Sequence, residues 1–261
     1  MTSNLFKATS LDQTGRVALV TGAGVGIGRA VALQLAGAGA FVGIHYHSSE
    51  AEAKETLATI RRGGGDGLLL AADLTQETQA DAVVDRLVAA TGRLDVVVNN
   101  AGSPLERSRI EDCSTELWRR VFDVNVTHAF FICRRAIKHL RASGRGSIVN
   151  NLSLSIQTGG AGGAGPYAAA KGALEVLTRT LARELAPSVR VNGVMPGVIE
   201  TRHHEVFTTP ERMAEYRRET PLARNGNAGE VAQAIHFLAS DAASFITGAI
   251  LDINGGRFLR S

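Results

Sequence analysis

Three observations in the 261-residue sequence predict an α/β fold, a parallel sheet covered by helices on both faces. Short apolar runs recur along the chain, too continuous to have one face in water. Each is followed by a stretch with helical spacing, and strand–helix alternation builds a parallel sheet through right-handed crossovers. Glycines concentrate at particular turns between these elements.

The elements follow in order. Residues 1–14 are a polar lead, and residues 16–21 form the first predicted strand. The turn Gly22-Ala23-Gly24-Val25-Gly26-Ile27-Gly28 then opens a helix over 30–38. Strand, glycine turn, helix is the layout of a dinucleotide site. The glycines let backbone approach a pyrophosphate, and the helix N-terminus favours its negative charge. Strand 40–46, helix 49–62, strand 67–72 ending at Asp73, and helix 76–90 come next. Strand 94–99 runs into Asn100-Ala101-Gly102, whose small residues let a ring lie against backbone. One long helix is predicted over 115–140, although Asn125 inside it disfavours an ordinary helical turn. Strand 146–152, a glycine-rich loop over 159–165, helix 167–185 and strand 189–194 follow. Residues 200–226 read as a polar, irregular and mobile lid containing His203 and His204, before helix 229–240 and strand 249–253. The result is a seven-stranded, doubly wound sheet in a single domain spanning 1–261.

Hydrophobic residues make up 44% and charged residues 20%, enough for a sizeable core and incompatible with disorder. The net charge of +3, with both signs interspersed, argues against nucleic-acid and membrane partners. Cys113 and Cys133 form neither a disulfide framework nor a metal-ligand spacing, which points to a reducing cytoplasm. Residues 1–14 lack the build of a signal peptide, and no apolar run reaches membrane-spanning length. His45 and His47 alternate on a strand without a third ligand, so no metal site is expected. The basic cluster of Arg134, Arg135, Lys138, His139, Arg141 and Arg145 is a solvated helix end or a dock for an acidic carrier protein.

Tyr167 and Lys171 lie four residues apart at the start of a predicted helix. Such a step rises about 6 Å and returns to the same face. A phenol near an ammonium favours its phenolate and can exchange a proton with a carbonyl or alcohol oxygen.

With these motifs in order, the chain resembles the classical short-chain dehydrogenases/reductases over nearly its full length. The resemblance rests on Thr21-Gly22-Ala23-Gly24-Val25-Gly26-Ile27-Gly28, Asn99-Asn100-Ala101-Gly102, Asn125, Tyr167 with Lys171, and Pro196-Gly197. It implies a Rossmann-like fold and an oxidoreductase, similar in motif style to the 3-oxoacyl-carrier-protein reductases. Tyr167 is then the general acid or base. Lys171 binds the nicotinamide ribose and lowers the tyrosine pKa, and Asn125 holds a water linking Lys171 to solvent. A serine steadies the substrate oxygen. Counting from the strand gives Ser153, with Leu152 in place of the family's first serine; Ser155 is the alternative. Gly22, Gly24, Val25, Gly26 and Ile27 face the phosphates, and Asp73 and Leu74 the adenine. Asn100, Ala101 and Gly102 line the adenosine and ribose side, and Pro196, Gly197, Ile199 and Thr201 the carboxamide. The substrate pocket is expected between Pro104 and Leu105, residues 154–157, and the lid. Trp118, Phe122 and Phe130 are expected in packing, some of it between subunits of a homodimer or homotetramer.

The second strand decides the cofactor. Sites that prefer NAD place an acid at its end, which binds the ribose hydroxyls and repels a 2′-phosphate. Tyr46 stands there, followed by His47, Ser48 and Ser49, so NADP(H) is expected to be preferred with NAD(H) possible. The rival readings are an NAD-dependent alcohol or sugar dehydrogenase and a non-catalytic dinucleotide sensor. The substrate is expected to be a small carbonyl or alcohol.

Overall fold

The computed structural model describes residues 11–160, 162–201 and 208–259. Seven parallel strands lie in the order β3-β2-β1-β4-β5-β6-β9. They are β1 (Val17–Val20), β2 (Phe41–Tyr46), β3 (Gly67–Ala71), β4 (Val96–Asn99), β5 (Gly146–Asn151), β6 (Val189–Pro196) and β9 (Ile250–Ile253). This is the expected Rossmann-like sheet. Strand order runs outward in both directions from the β1/β4 pair, where Ala18 faces Val96 and Val20 faces Val98. Open sheets of this kind leave a crevice beyond the strand ends at that switch point.

Alternation along the strands feeds two cores. Ala18 and Val20 of β1 pack with α1 (Gly26–Gly37), α2 (Glu50–Arg62) and a helix over Ala228–Ala239, α9. Val17 and Leu19 pack on the opposite face with α3 (Glu77–Thr91), α5 (His128–Ala142) and α7 (Gly165–Leu185). Both faces are dry, which explains the continuous apolar strand runs. Among the described residues no helix is long and apolar enough to cross a membrane.

Three elements differ from expectation. Helix α1 begins four residues earlier than predicted, inside the glycine turn itself. The long helix is broken: α4 (Thr115–Phe122) and α5 are joined by a wider π turn over Asp123–Thr127. Asn125 causes the widening, since its side-chain amide donates to the Val121 carbonyl at 2.8 Å and competes with the regular ladder. The segment expected to be an irregular lid contains α8 (Pro210–Glu219), with Thr209 capping the Arg212 amide and proline in the first turn. Short strands β7 (Ile199–Glu200) and β8 (Gly226–Asn227) pair and bring the two ends of that segment together. His203 and His204, like most of the N-terminal lead, fall outside the described residues. A one-turn helix, α6 (Ser155–Thr158), precedes the glycine-rich loop.

Candidate active site

A crevice of about 890 Å³ opens beyond the C-terminal ends of the strands. Its floor is mostly backbone. Gly22 and Gly26 adopt left-handed φ of 64° and 55°, which side chains resist. At Gly28 an added Cβ would stand 2.1 Å from the Gly22 carbonyl oxygen, so α1 can meet the turn only through glycine. Val25 caps α1 without a side-chain hydrogen bond, and no acid lies in the first turn. The amides of that helix end are free to meet an anion, and Val25, Gly26 and Ile27 line the crevice there.

Polar side chains tie this floor to the centre of the sheet. The Thr21 hydroxyl accepts from the Asn100 and Ala101 amides at 2.9 and 3.0 Å. Asn100 Nδ2 donates to the Thr21 carbonyl at 2.9 Å, and Asn151 Nδ2 donates to Asn100 Oδ1 at 3.0 Å. Lys171 Nζ then donates to the Asn151 carbonyl at 2.7 Å. One chain of bonds thus runs from β1 through β4 and β5 to α7. His45 adds a second tether. Its Nδ1 accepts from the Gly22 amide at 3.1 Å, and its Nε2 lies 3.1 Å from the Ala72 carbonyl, which fixes the Nε2–H tautomer. Burial pushes its pKa down to about 4, so it stays neutral and its nitrogens hold the glycine turn.

Tyr167, Lys171 and Ser153 meet at the inner wall. Pro166 occupies the first turn of α7, which starts the helix just before the tyrosine. The Lys171 ammonium lies 5.8 Å from the Tyr167 ring centroid. Ser153 hydrogen-bonds Tyr167, and Ser155 lies one step further out, its hydroxyl donating to Ser153 Oγ at 2.9 Å. Ser153, the serine that the strand-based count selects, is the one beside the phenol. The expected lowering of the tyrosine pKa by lysine is not what dominates. Burial pushes Tyr167 up to about 12, with the Ser153 bond opposing it, and burial pushes Lys171 down to about 7. Asn125 is wholly buried and spends its side chain on structure. Its amide donates to the Ser103 carbonyl at 2.7 Å as well as to Val121, and its Oδ1 accepts from the Ser103 amide at 3.1 Å. At Gly102 a Cβ would come 2.6 Å from Asn125 Oδ1 and 3.0 Å from Lys171 Nζ. The strip ahead of the lysine is thus sized for glycine.

Most of the predicted residues line this one crevice: Gly22, Val25, Gly26, Ile27, Tyr46, His47, Ser48, Asp73, Asn100, Ala101, Gly102, Pro196, Gly197, Ile199 and Thr201. Two do not. Gly24 backs onto Ser49, whose Oγ would lie 2.5 Å from an added Cβ. Leu74 turns into the hydrophobic core and Thr75 lines the crevice in its place. Of the expected substrate wall, Pro104, Leu105, Leu154, Ser155 and Tyr216 contribute. Sequence reasoning missed Asn151 and four arginines on the outer rim, of which Arg107 and Arg257 are held by contacts distant in sequence. In the basic cluster of α5 and the turn after it, three of the six residues are paired with carboxylates. Arg134 pairs with Glu77, Arg135 grips Asp85 through two bonds of 2.7 and 2.6 Å, and Arg145 lies 3.6 Å from Asp95.

A family model described as enoyl-(acyl carrier protein) reductase matches residues 22–257. The cyclopentanol dehydrogenase of Comamonas sp. is 39% identical over 210 residues, covering 80% of this chain and 83% of that one. The crystal structure of an NADH-dependent reductase responsible for alginate metabolism superposes with a TM-score of 0.88 at 34% identity, covering 96% of this chain and 100% of that one. A 7α-hydroxysteroid dehydrogenase complexed with NADH and 7-oxo glycochenodeoxycholic acid gives 0.91 at 31% identity, covering 97% and 98%. The chain belongs to the short-chain dehydrogenase/reductase family and is an NAD(P)-dependent oxidoreductase.

Proposed function

We propose that this protein interconverts a carbonyl and a secondary alcohol, with Tyr167 moving the proton and NADP(H) preferred over NAD(H). The observation that carries the reading is the meeting of Ser153, Tyr167 and Lys171 at the inner wall of a glycine-floored crevice. A nicotinamide dinucleotide, when bound, supplies or takes the hydride. Its pyrophosphate would lie over Val25, Gly26 and Ile27, and its ribose within reach of Lys171.

The chain's own residues do the rest. Tyr167 hands its proton to the substrate oxygen in reduction and takes it back in oxidation. Ser153 holds that oxygen and steadies the charge developing on it. Lys171 has three N–H donors, and one is used on the Asn151 carbonyl. The others can bind ribose hydroxyls and favour the phenolate when Tyr167 gives up its proton. Asn125 acts by position, shaping the π turn and the 102–103 strip against which the lysine lies. The remaining acceptor capacity of its Oδ1 is proposed to hold the water that links Lys171 to solvent. The pair β7/β8 is proposed to act as a hinge from which α8 closes over the bound substrate.

Tyr46 supports the cofactor preference. No carboxylate stands at the end of β2, and the hydroxyls of Ser48 and Ser49 line the crevice beside it. Among the described residues no arginine or lysine lines that end, so NAD(H) is accepted as well. A 3-oxoacyl-thioester is one carbonyl the reading admits. The presence of both Tyr167 and Lys171 speaks against a mere dinucleotide sensor. The protein is proposed to work in the cytoplasm as a homodimer or homotetramer, for which Trp118 and Phe130, 38% and 43% exposed, offer apolar contact. Turnover of a ketone and alcohol panel, followed by nicotinamide absorbance with each cofactor, tests the reading. Turnover with NADPH exceeding that with NADH is expected. No turnover on any pair would overturn the activity, and a ratio favouring NADH would overturn the cofactor preference.

A further inference from the structure

We propose that the carbonyl compound taken by this crevice carries a carboxylate, gripped at the outer end by arginines from four separate segments of the chain. This rests on the oxidoreductase reading above and names the substrate class of that site. The crevice lining is sorted by charge. Around Tyr46, Ser48 and Asp73 no arginine or lysine lines it among the described residues, whereas Arg107, Arg120, Arg212 and Arg257 line the other end. They come from the loop after β4, from α4, from α8 and from the turn after β9.

These arginines are held in place. The guanidinium groups of Arg257 and Arg212 lie over the ring of Tyr216, 4.3 and 4.7 Å from its centroid. Each is also paired with a glutamate of α8, Arg257 with Glu219 and Arg212 with Glu215. A guanidinium has five N–H donors, so one carboxylate partner leaves an edge available for another. Stacking and pairing fix that edge beforehand, which lowers the entropy cost of gripping a ligand. Arg107 Nη1 donates to the Gly162 carbonyl at 3.2 Å, anchoring it to the glycine-rich loop that leads to Tyr167. Arg120 is exposed, and no carboxylate pairs with it among the described residues. Among the described residues, Glu215, Glu219 and Asp123 stand against these four arginines, one carboxylate fewer than guanidinium groups. Like charges gathered at one opening repel, and an anion relieves that repulsion where a neutral ketone does not. The planar fork of arginine matches a carboxylate in two parallel bonds. A substrate held this way at its outer end presents its carbonyl inward, toward Ser153 and Tyr167.

The test compares acetoacetate, levulinate and cyclohexanone carboxylate with their methyl esters, and adds succinate as a competitor against a neutral ketone. Acids that turn over are expected to exceed their esters in kcat/KM by about tenfold or more, and succinate is expected to compete. Arg120→Met and Arg257→Met are expected to shrink the acid preference toward one through the acid's KM, and to relieve succinate inhibition. Among the described residues no carboxylate pairs with Arg120, so its variant separates ligand binding from stability. Arg183→Met, on the exposed side of α7, is expected to change neither readout. Equal use of acid and ester, no competition by succinate, or a preference kept in both rim variants would overturn the proposal while leaving the oxidoreductase reading standing. No turnover of any acid, ester or neutral ketone with either cofactor would overturn both.

Discussion

At its adenosine end the crevice is built from backbone. Glycine turns, helix amides and a ladder of threonine and asparagine bonds fix the floor, and each residue lies within a few positions of a strand end. At its outer end the crevice is built from side chains. Arginines on four segments converge there, and Tyr216 on α8 is the surface two of them stack on. At the first end Gly28 has no room for a Cβ, whereas the rim arginines lie on loops and helices outside the sheet. On the proposed reading, the difference separates the two halves of the function: cofactor binding in the fold, substrate choice in the rim.

Substitutions at the two ends are therefore expected to fail differently. The largest effect is expected from Gly28→Ala, because the new Cβ overlaps the Gly22 carbonyl and lies 2.4 Å from Asn100 Nδ2. Cofactor binding, followed by fluorescence titration, is expected to be lost along with several degrees of Tm; retention of both would mean the turn can shift. Ser153→Ala is expected to lower kcat by about a hundredfold to a thousandfold, as one lost donor to a developing oxyanion does. Ser155→Ala is expected to lower it far less, and a reversed order would assign the role to Ser155.

The tether through His45 predicts a pH dependence of stability. Its pKa is about 4 in the folded chain against 6.5 ordinarily, so between these values the unfolded chain binds the proton more readily. Stability is whole above about pH 6.5 and declines as pH falls toward 4, by roughly 2 kcal/mol at about pH 5. Melting curves of His45→Gln are expected to show a shallower decline than the parent; parallel curves would remove His45 from the account. The smallest effect is expected from Tyr46→Asp, a shift in the NADPH/NADH ratio of kcat/KM by about tenfold toward NADH. A fixed ratio would mean that the end of β2 does not read the ribose.

The same division governs how much could be read from the sequence. The seven strands, both glycine turns and the Tyr167–Lys171 pair are local patterns, and each fell within a few residues of its place. Ser153 was legible because strand β5 fixes its position ahead of a variable loop. Asn125 was legible as a disturbance in a helix, but its use against Ser103 required a contact 22 residues away. Helix α8 carried its signals in Thr209 and Pro210, which its polar composition masked. The pKa order of Tyr167 and Lys171 depends on burial, which spacing along a helix does not reveal. The arginine rim had no local pattern at all.

The central claim is that Tyr167 supplies the proton at a cofactor site it does not itself build. Cofactor affinity and steady-state turnover measured side by side on Tyr167→Phe test it most directly. The account predicts an affinity within a few-fold of the parent and a turnover lower by about a hundredfold to ten-thousandfold. Turnover close to the parent's, with cofactor still bound, would contradict it.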